Sequence, residues 1–196
     1  MAKSLKLVVA VIIVCVAAST ALSLAYAVTA PRIAEQDRLA EERSLQAVLP
    51  DADDFALLED QAVRSAAEAA ADPAEFKGVF RASSGGADAG WAVKLASRGY
   101  GGPVQMVIGL DSSGKVTGVS VLTHNETPGL GTKIFTEKWF MEQFMTLPVG
   151  YGDADVRGLD AISGVTRSSN AIRNAVAAAG RIYANVLVTG EASGDE

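Results

Sequence analysis

The sequence predicts an α+β protein: a single N-terminal transmembrane helix, then a domain with a mainly antiparallel sheet packed by helices. Three observations carry this. Leu7 to Ala30 holds no charged residue in 24 positions. From Phe76 onward, apolar residues recur in short strand-like runs divided by Gly- and Ser-rich turns. A final stretch from Ser168 then places apolar residues three and four apart, the spacing of a helix with one packed face.

The uncharged run is long enough for its role. At about 1.5 Å rise per residue it covers roughly 36 Å as a helix, sufficient for a tilted membrane span. Lys3 and Lys6 precede it and no acidic residue does, which predicts a cytoplasmic N-terminus (1–6), an anchor (7–30) and a domain on the far side. Ala25-Tyr26-Ala27 also has the small-x-small form of a signal-peptidase site, and cleavage there would free a secreted ligand-binding domain. The apolar run exceeds the usual length of a cleaved signal, which favours an uncleaved anchor. A span without an embedded acid or base is no ion pathway of the usual kind, and Ser19, Thr20 and Ser23 read as small packing positions. Cys15 reads as a small hydrophobe.

Composition excludes several chemistries. No cysteine follows Cys15 and the single histidine is His124, so thiolate chemistry, sulfur-based metal sites and a multi-histidine cluster are excluded beyond the span. The chain carries −6 overall with every acidic residue beyond the span, and it lacks basic clusters, which argues against nucleic acid as a partner. Neither a Gly-x-Gly-x-x-Gly unit between strand and helix nor a GxxxxGK[ST] loop occurs.

Residues 31–75 read as a helical stalk opening the extracytoplasmic domain. Helix formers fill 32–47, Pro50 and the DADD run interrupt, and a second helix is expected over Phe55–Ala71. The main domain, 76–190, begins with a strand at Lys77–Ala82, a loop over 83–90 and a strand at Trp91–Ser97. Next comes a hairpin whose apolar sides are Val104, Met106 and Ile108 on one strand and Val116, Val119 and Val121 on the other, with the pairing register left open. The loop TPGLG, 127–131, has glycines that permit close backbone approach to a flat ligand. Ile134–Met145 reads as one helix with Trp139, Phe140 and Phe144 in the core, 151–160 has no firm assignment, and the last helix packs Ile172, Val176, Ala179 and Tyr183. Residues 191–196 read as a flexible tail.

Two places concentrate polar chemistry. In D160-AISGVTRSS, Ser168 or Ser169 is expected to cap the last helix while Ser163 and Gly164 shape its approach. Helix N-termini attract anions, so a phosphate near Thr166 would be physically comfortable there. Structural capping alone explains the same hydroxyls. Near the glycine loop stand His124, Glu126 and Thr127. A triad of Ser163, His124 and Asp160 lacks the G-x-S-x-G elbow, and Glu126, Asp153, Asp155 and Asp160 do not have EF-hand spacing. No residue is assigned a catalytic or metal-binding role.

The motifs G99-YGGPV, H124-NETPGLGTKI and D160-AISGVTRSS, in this order behind an anchor, resemble the G subunit of the Rnf ion-translocating electron-transport complex. A more distant resemblance is to the C subunit of the sodium-pumping NADH:quinone reductase. The likeness covers the anchor and about Gly99 to Val186. The resemblance implies an FMN-binding domain with FMN joined by a phosphoester to Thr166, placed there by a flavin transferase that reads Asp160, Ser163, Gly164 and Val165. The family usually has alanine where this chain has Val165, a larger, β-branched residue that would crowd the turn. Thr127, Gly129 and Leu130 become expected neighbours of the flavin ring, with His124 and Glu126 ordering their loop. It further implies an inner-membrane location with a periplasmic domain, and partnership with the other complex subunits and with lipid. The work implied is electron relay between ferredoxin and NAD⁺, coupled by the whole assembly to proton or sodium movement, with no complete catalytic activity in this chain alone. A passive anchor or assembly subunit is the alternative.

Overall fold

An antiparallel meander of five strands forms the centre of the domain in this computed structural model, which describes residues 2–188 and side chains from Val8 onward. The expected tail at 191–196, like the end of the 76–190 segment, lies outside the described residues. Helix α1 spans Ala2–Val48, and the boundary between the chain's two compact units falls between Glu41 and Glu42. In the first unit the helix presents Val8, Val11, Ile12, Ile13, Val14, Leu22 and Leu24 uncovered on all sides. A helix apolar all round, and long enough, is one that can cross a membrane. Thr20 is exposed, and its Oγ1 donates to the carbonyl of Val16 at 2.8 Å within its own helix.

The second unit continues with β1 (Asp54–Leu57), α2 (Gln61–Ala71), β2 (Glu75–Ser84), β3 (Ala87–Arg98), β4 (Pro103–Leu110) and β5 (Val116–Thr123). The strands pair in chain order, all antiparallel. The expected hairpin is found, and its register, which the sequence leaves open, sets Met106 opposite Val121, Ile108 opposite Val119 and Leu110 opposite Val116. Side chains alternate between faces, as the two-residue period of a strand demands. Val79, Trp91, Val93, Leu95, Met106 and Ile108 face α6 (Thr166–Ile182) and join its Ile172, Ala175, Val176 and Ala179 in the main core. Tyr183 is only partly buried against this core, in the π-helical turn Tyr183–Leu187 that follows.

The opposite face is covered by the end of α1, where Leu45, Val48 and Leu49 pack with Ala82, Ala92 and Val107. The glycine pair Gly109–Gly118, opposite each other in β4 and β5, makes room. A Cβ on Gly109 would sit 2.6 Å from the Val48 carbonyl oxygen, which accepts from Thr117 Oγ1 at 2.6 Å.

Three expectations for local structure change. Phe55–Leu57 is an edge strand rather than helix: Asp53 N–H donates to the Ser83 carbonyl and Gly85 N–H to Asp53 Oδ2, so pairing with β2 overrides helix propensity. Helix α2 starts only where Asp60 accepts from the Ala62 and Val63 amides. Segment 83–90 is mostly strand, with a tight turn at Gly85-Gly86, both at positive φ. The single helix expected over Ile134–Met145 is instead α3 (Lys133–Thr136), α4 (Lys138–Glu142) and a 3-10 turn (Gln143–Thr146), broken where Glu137 takes extended backbone angles. Phe140 and Phe144, four apart, point into the core and meet edge to face at 5.4 Å. Trp139 lies 45% exposed, because adjacent helical positions do not share a face.

The unassigned stretch after Tyr151 contains α5 (Asp153–Gly158). Arg181 ties this helix to the end of α2, pairing with Asp153 and donating Nε to the Ala70 carbonyl at 2.9 Å. Tyr151 donates its hydroxyl to the Val176 carbonyl at 3.0 Å, and burial pushes its phenol above the ordinary range.

Candidate functional site

Antiparallel pairing of β4 with β5 sets Gln105 opposite Thr123, which brings the turn before β4 and the loop after β5 to the same end of the sheet. The first turn of α6 arrives there too, and Glu126 joins all three. Its carboxylate is buried, with 5% of the residue exposed. Oε1 accepts from the amides of Tyr100 at 2.9 Å and Gly101 at 3.3 Å, and Oε2 accepts from Ser168 Oγ at 2.7 Å. A buried carboxylate is tolerated only when donors replace its lost hydration, and here three do.

The glycines around it are explained by space. A Cβ on Gly99 would lie 2.1 Å from Glu126 Oε1, and one on Gly131 would lie 2.4 Å from Oε2. The three sequence motifs that stood apart as GYGGPV, ETPGLG and SGVTRSS therefore meet at one side chain.

The 127–131 loop is folded on itself. The Thr127 carbonyl accepts from the amides of Leu130 and Thr132, each at 3.3 Å, and Gly129 N–H donates to Thr132 Oγ1 at 3.0 Å. Gly129 takes φ +74°, a left-handed conformation that other residues adopt only with strain. Leu130, at the tip, is half exposed. His124 lies beside this loop: its Nδ1 accepts from the Glu126 amide at 3.3 Å, and its ring stacks on Phe135 with centroids 4.4 Å apart.

At the start of α6 neither serine caps the helix. Ser168 is turned to Glu126, while Ser169 Oγ donates to the Val165 carbonyl at 3.1 Å and accepts from the Ile162 amide at 3.2 Å. The N-cap position is Val165, which has no side-chain acceptor to offer, and among the described residues no side chain caps the helix. Val165 is buried in the main core, so its extra methyl groups are absorbed by packing. Gly164, at φ +82°, turns the chain into the helix, and Thr166 is exposed at its first position.

These parts enclose a cleft of about 250 Å³. Thr166, Gly164, Val165, Glu126, Thr127 and Leu130 line it, together with Tyr100, Gly131, Arg167 and Ser168. Four expected site residues lie outside that lining. Asp160 is exposed and held through its backbone, whose amide and carbonyl both bond the Gln143 side chain, at 2.8 and 3.0 Å. Ser163 is exposed, His124 faces Phe135, and Gly129 serves the turn. Tyr100 and Arg167 are site residues that sequence reasoning does not single out. The signal for Tyr100 is an aromatic residue between glycines, and that for Arg167 is its place directly after Thr166.

Comparison with known proteins agrees with this geometry. Residues 99–180, which contain every lining residue, match the FMN-binding domain family. The chain is 31% identical over 191 residues to the G subunit of the Na(+)-translocating ferredoxin:NAD(+) oxidoreductase complex of Acetobacterium woodii, covering 92% of each. It is also 31% identical over 176 residues to the G subunit of the ion-translocating oxidoreductase complex of Methanosarcina acetivorans, covering 87% of this chain and 89% of that one. A third such relative, from Shewanella amazonensis, is 37% identical over 121 residues, 61% of this chain and 56% of its own length. The fold and cleft thus define an FMN-binding domain behind an apolar N-terminal helix. The chain belongs to the family of G subunits of ion-translocating oxidoreductase (Rnf) complexes.

Proposed function

We propose that this chain is an electron-relay subunit of a membrane-bound, ion-translocating ferredoxin:NAD⁺ oxidoreductase, and that it carries FMN through a phosphoester to Thr166. The carrying observation is the start of α6 without a side-chain cap, where exposed Thr166 lines the same cleft as Thr127, Leu130 and Gly131. Leading amides of a helix are donors with a favourable dipole for a phosphate, and a diester keeps one negative charge for them to hold. Arg167, the next residue in the lining, adds a cation. Leu130 and Val165 supply apolar wall, and the missing side chain at Gly131 lets the Glu126 carboxylate pack beneath the cleft. These residues fit the group.

Bound FMN would supply the redox states, while the protein supplies position, electrostatics and partial exclusion of water. Attachment keeps the cofactor at high local concentration where a dissociated one would be lost. A separate flavin transferase would move FMN from FAD to the hydroxyl with release of AMP. The apolar part of α1 anchors the domain in the cell inner membrane, and Lys3 and Lys6 favour an N-in orientation with the domain on the periplasmic side. Other subunits of the complex would deliver and remove the electrons.

The test is intact mass and peptide mapping of the full chain produced together with a flavin transferase. An FMN-phosphoryl increment on the peptide containing Thr166, lost in Thr166→Ala and kept in Thr166→Ser, is the expected result. A folded, colourless product under those conditions would support a passive assembly subunit instead.

A further inference from the structure

We propose that Tyr100 is an aromatic platform for the flavin, its phenol ring lying against the flat isoalloxazine of FMN held in the cleft; this rests on the FMN reading above. Tyr100 is 72% exposed, yet its backbone is firmly held. Its amide donates to the buried Glu126 at 2.9 Å, and the turn around it is closed by Gly99 N–H donating to the Gly102 carbonyl at 2.8 Å. Exposure therefore does not come from a loose loop.

The turn also restricts where a side chain can stand. A Cβ on Gly99 would strike Glu126 Oε1 at 2.1 Å, one on Gly101 would strike the Asn125 carbonyl oxygen at 2.0 Å, and Gly102 takes φ +143°. Position 100 is the place in this turn open to a side chain, and it carries an aromatic residue that belongs to the cleft lining. The carboxylate that holds Tyr100 also holds Ser168, two residues after Thr166, so the ring and the attachment point share one support.

Leu130, half exposed, lines the same cleft. A planar, largely apolar ligand gains most from flat aromatic and aliphatic surfaces that would otherwise face water. Neither tryptophan competes for this role: Trp91 is buried in the core, and Trp139 is not part of the cleft lining.

The experiment uses flavin emission, since a tyrosine or tryptophan stacked on isoalloxazine quenches it. Full-length wild type, Tyr100→Ala and Tyr100→Trp are each produced with a flavin transferase, and fluorescence is normalised to FMN found by mass on the Thr166 peptide. The expected result is a several-fold rise in emission per flavin in Y100A, with Y100W remaining as dim as wild type. Melting of the flavin-free proteins should be unchanged, because the side chain is exposed. Equal emission per flavin in wild type and Y100A overturns the platform while leaving the FMN reading intact. A fall in flavin loading with unchanged emission per flavin also overturns it, assigning Tyr100 to recognition by the transferase. Wild type without FMN on Thr166 removes both readings together.

Discussion

Ser168 Oγ donates to Glu126 Oε2 at 2.7 Å, a bond between residues 42 positions apart that is buried at both ends. It takes a hydroxyl away from the helix start, where serine would ordinarily serve as a cap, and uses it to neutralise the need of a buried carboxylate. Two costs are thereby exchanged: an uncapped helix for a satisfied acid.

Glu126→Ala should strand the amides of Tyr100 and Gly101 and the Ser168 hydroxyl. We expect a loss on the order of 1–3 kcal/mol, the penalty for leaving buried polar groups unpaired. For a domain of this size, that lowers the melting temperature by about 2–4 °C per kcal/mol. Glu126→Gln, which keeps the shape and one acceptor, should fall between wild type and E126A in thermal melts.

Gly99→Ala tests the same junction from the opposite side. Its Cβ would arrive 2.1 Å from Glu126 Oε1, so the carboxylate must leave its donors. The expected loss matches that of E126A, and a double variant should be no worse than either alone, since coupled residues are not additive. Additive losses in denaturant melts would show that the two act separately.

Val165→Ala separates packing from attachment. The side chain is buried in the main core, and removing two methyl groups should cost on the order of 2 kcal/mol by transfer and cavity terms together. If FMN loading on Thr166 measured by mass is unchanged or faster, valine is present for the core. Loading that fails in V165A while the protein stays folded would assign the side chain to the modification itself.

Asp111 gives the hairpin between β4 and β5 an acid sensitivity. Burial by itself would raise its pKa, but donation from Ser113 Oγ, Lys115 N–H and Ser113 N–H, with the charge of Lys115, holds it below the ordinary value. A lowered folded-state value means stability present above the unfolded pKa and lost as pH falls through the folded one. Asp111→Asn should therefore destabilise the protein at pH 7 and flatten the fall in melting temperature below about pH 4, where aspartate takes up its proton.

Legibility from sequence varies with the range of the interactions. The apolar helix, the β4–β5 hairpin and the helical face of Ile172, Val176 and Ala179 follow from periodicity alone, and all are present, whereas the register of the hairpin comes from the structure. Phe55–Leu57 departs from its helical reading because its partner strand lies near residue 80, and pairing decides over local propensity. Position 137 breaks a helix that composition favours. At the site, Thr166 and the 127–131 loop are visible as motifs, and their shared cleft follows from where β4 and α6 begin and β5 ends. The destination of Ser168 is not visible, since a serine in the first turn of a helix reads as a cap until the buried acid 42 residues earlier is placed beside it.

The seat of Val48 against Gly109 and Gly118 decides where the domain can be cut. Pro50 and the acidic run after it look like a natural border, but a fragment beginning at Asp51 would lack Leu45, Val48 and Leu49 and lay Ala82, Ala92 and Val107 open to water. Such a piece should aggregate or sediment, whereas one that starts ahead of Glu42 retains its own cover and should remain monodisperse.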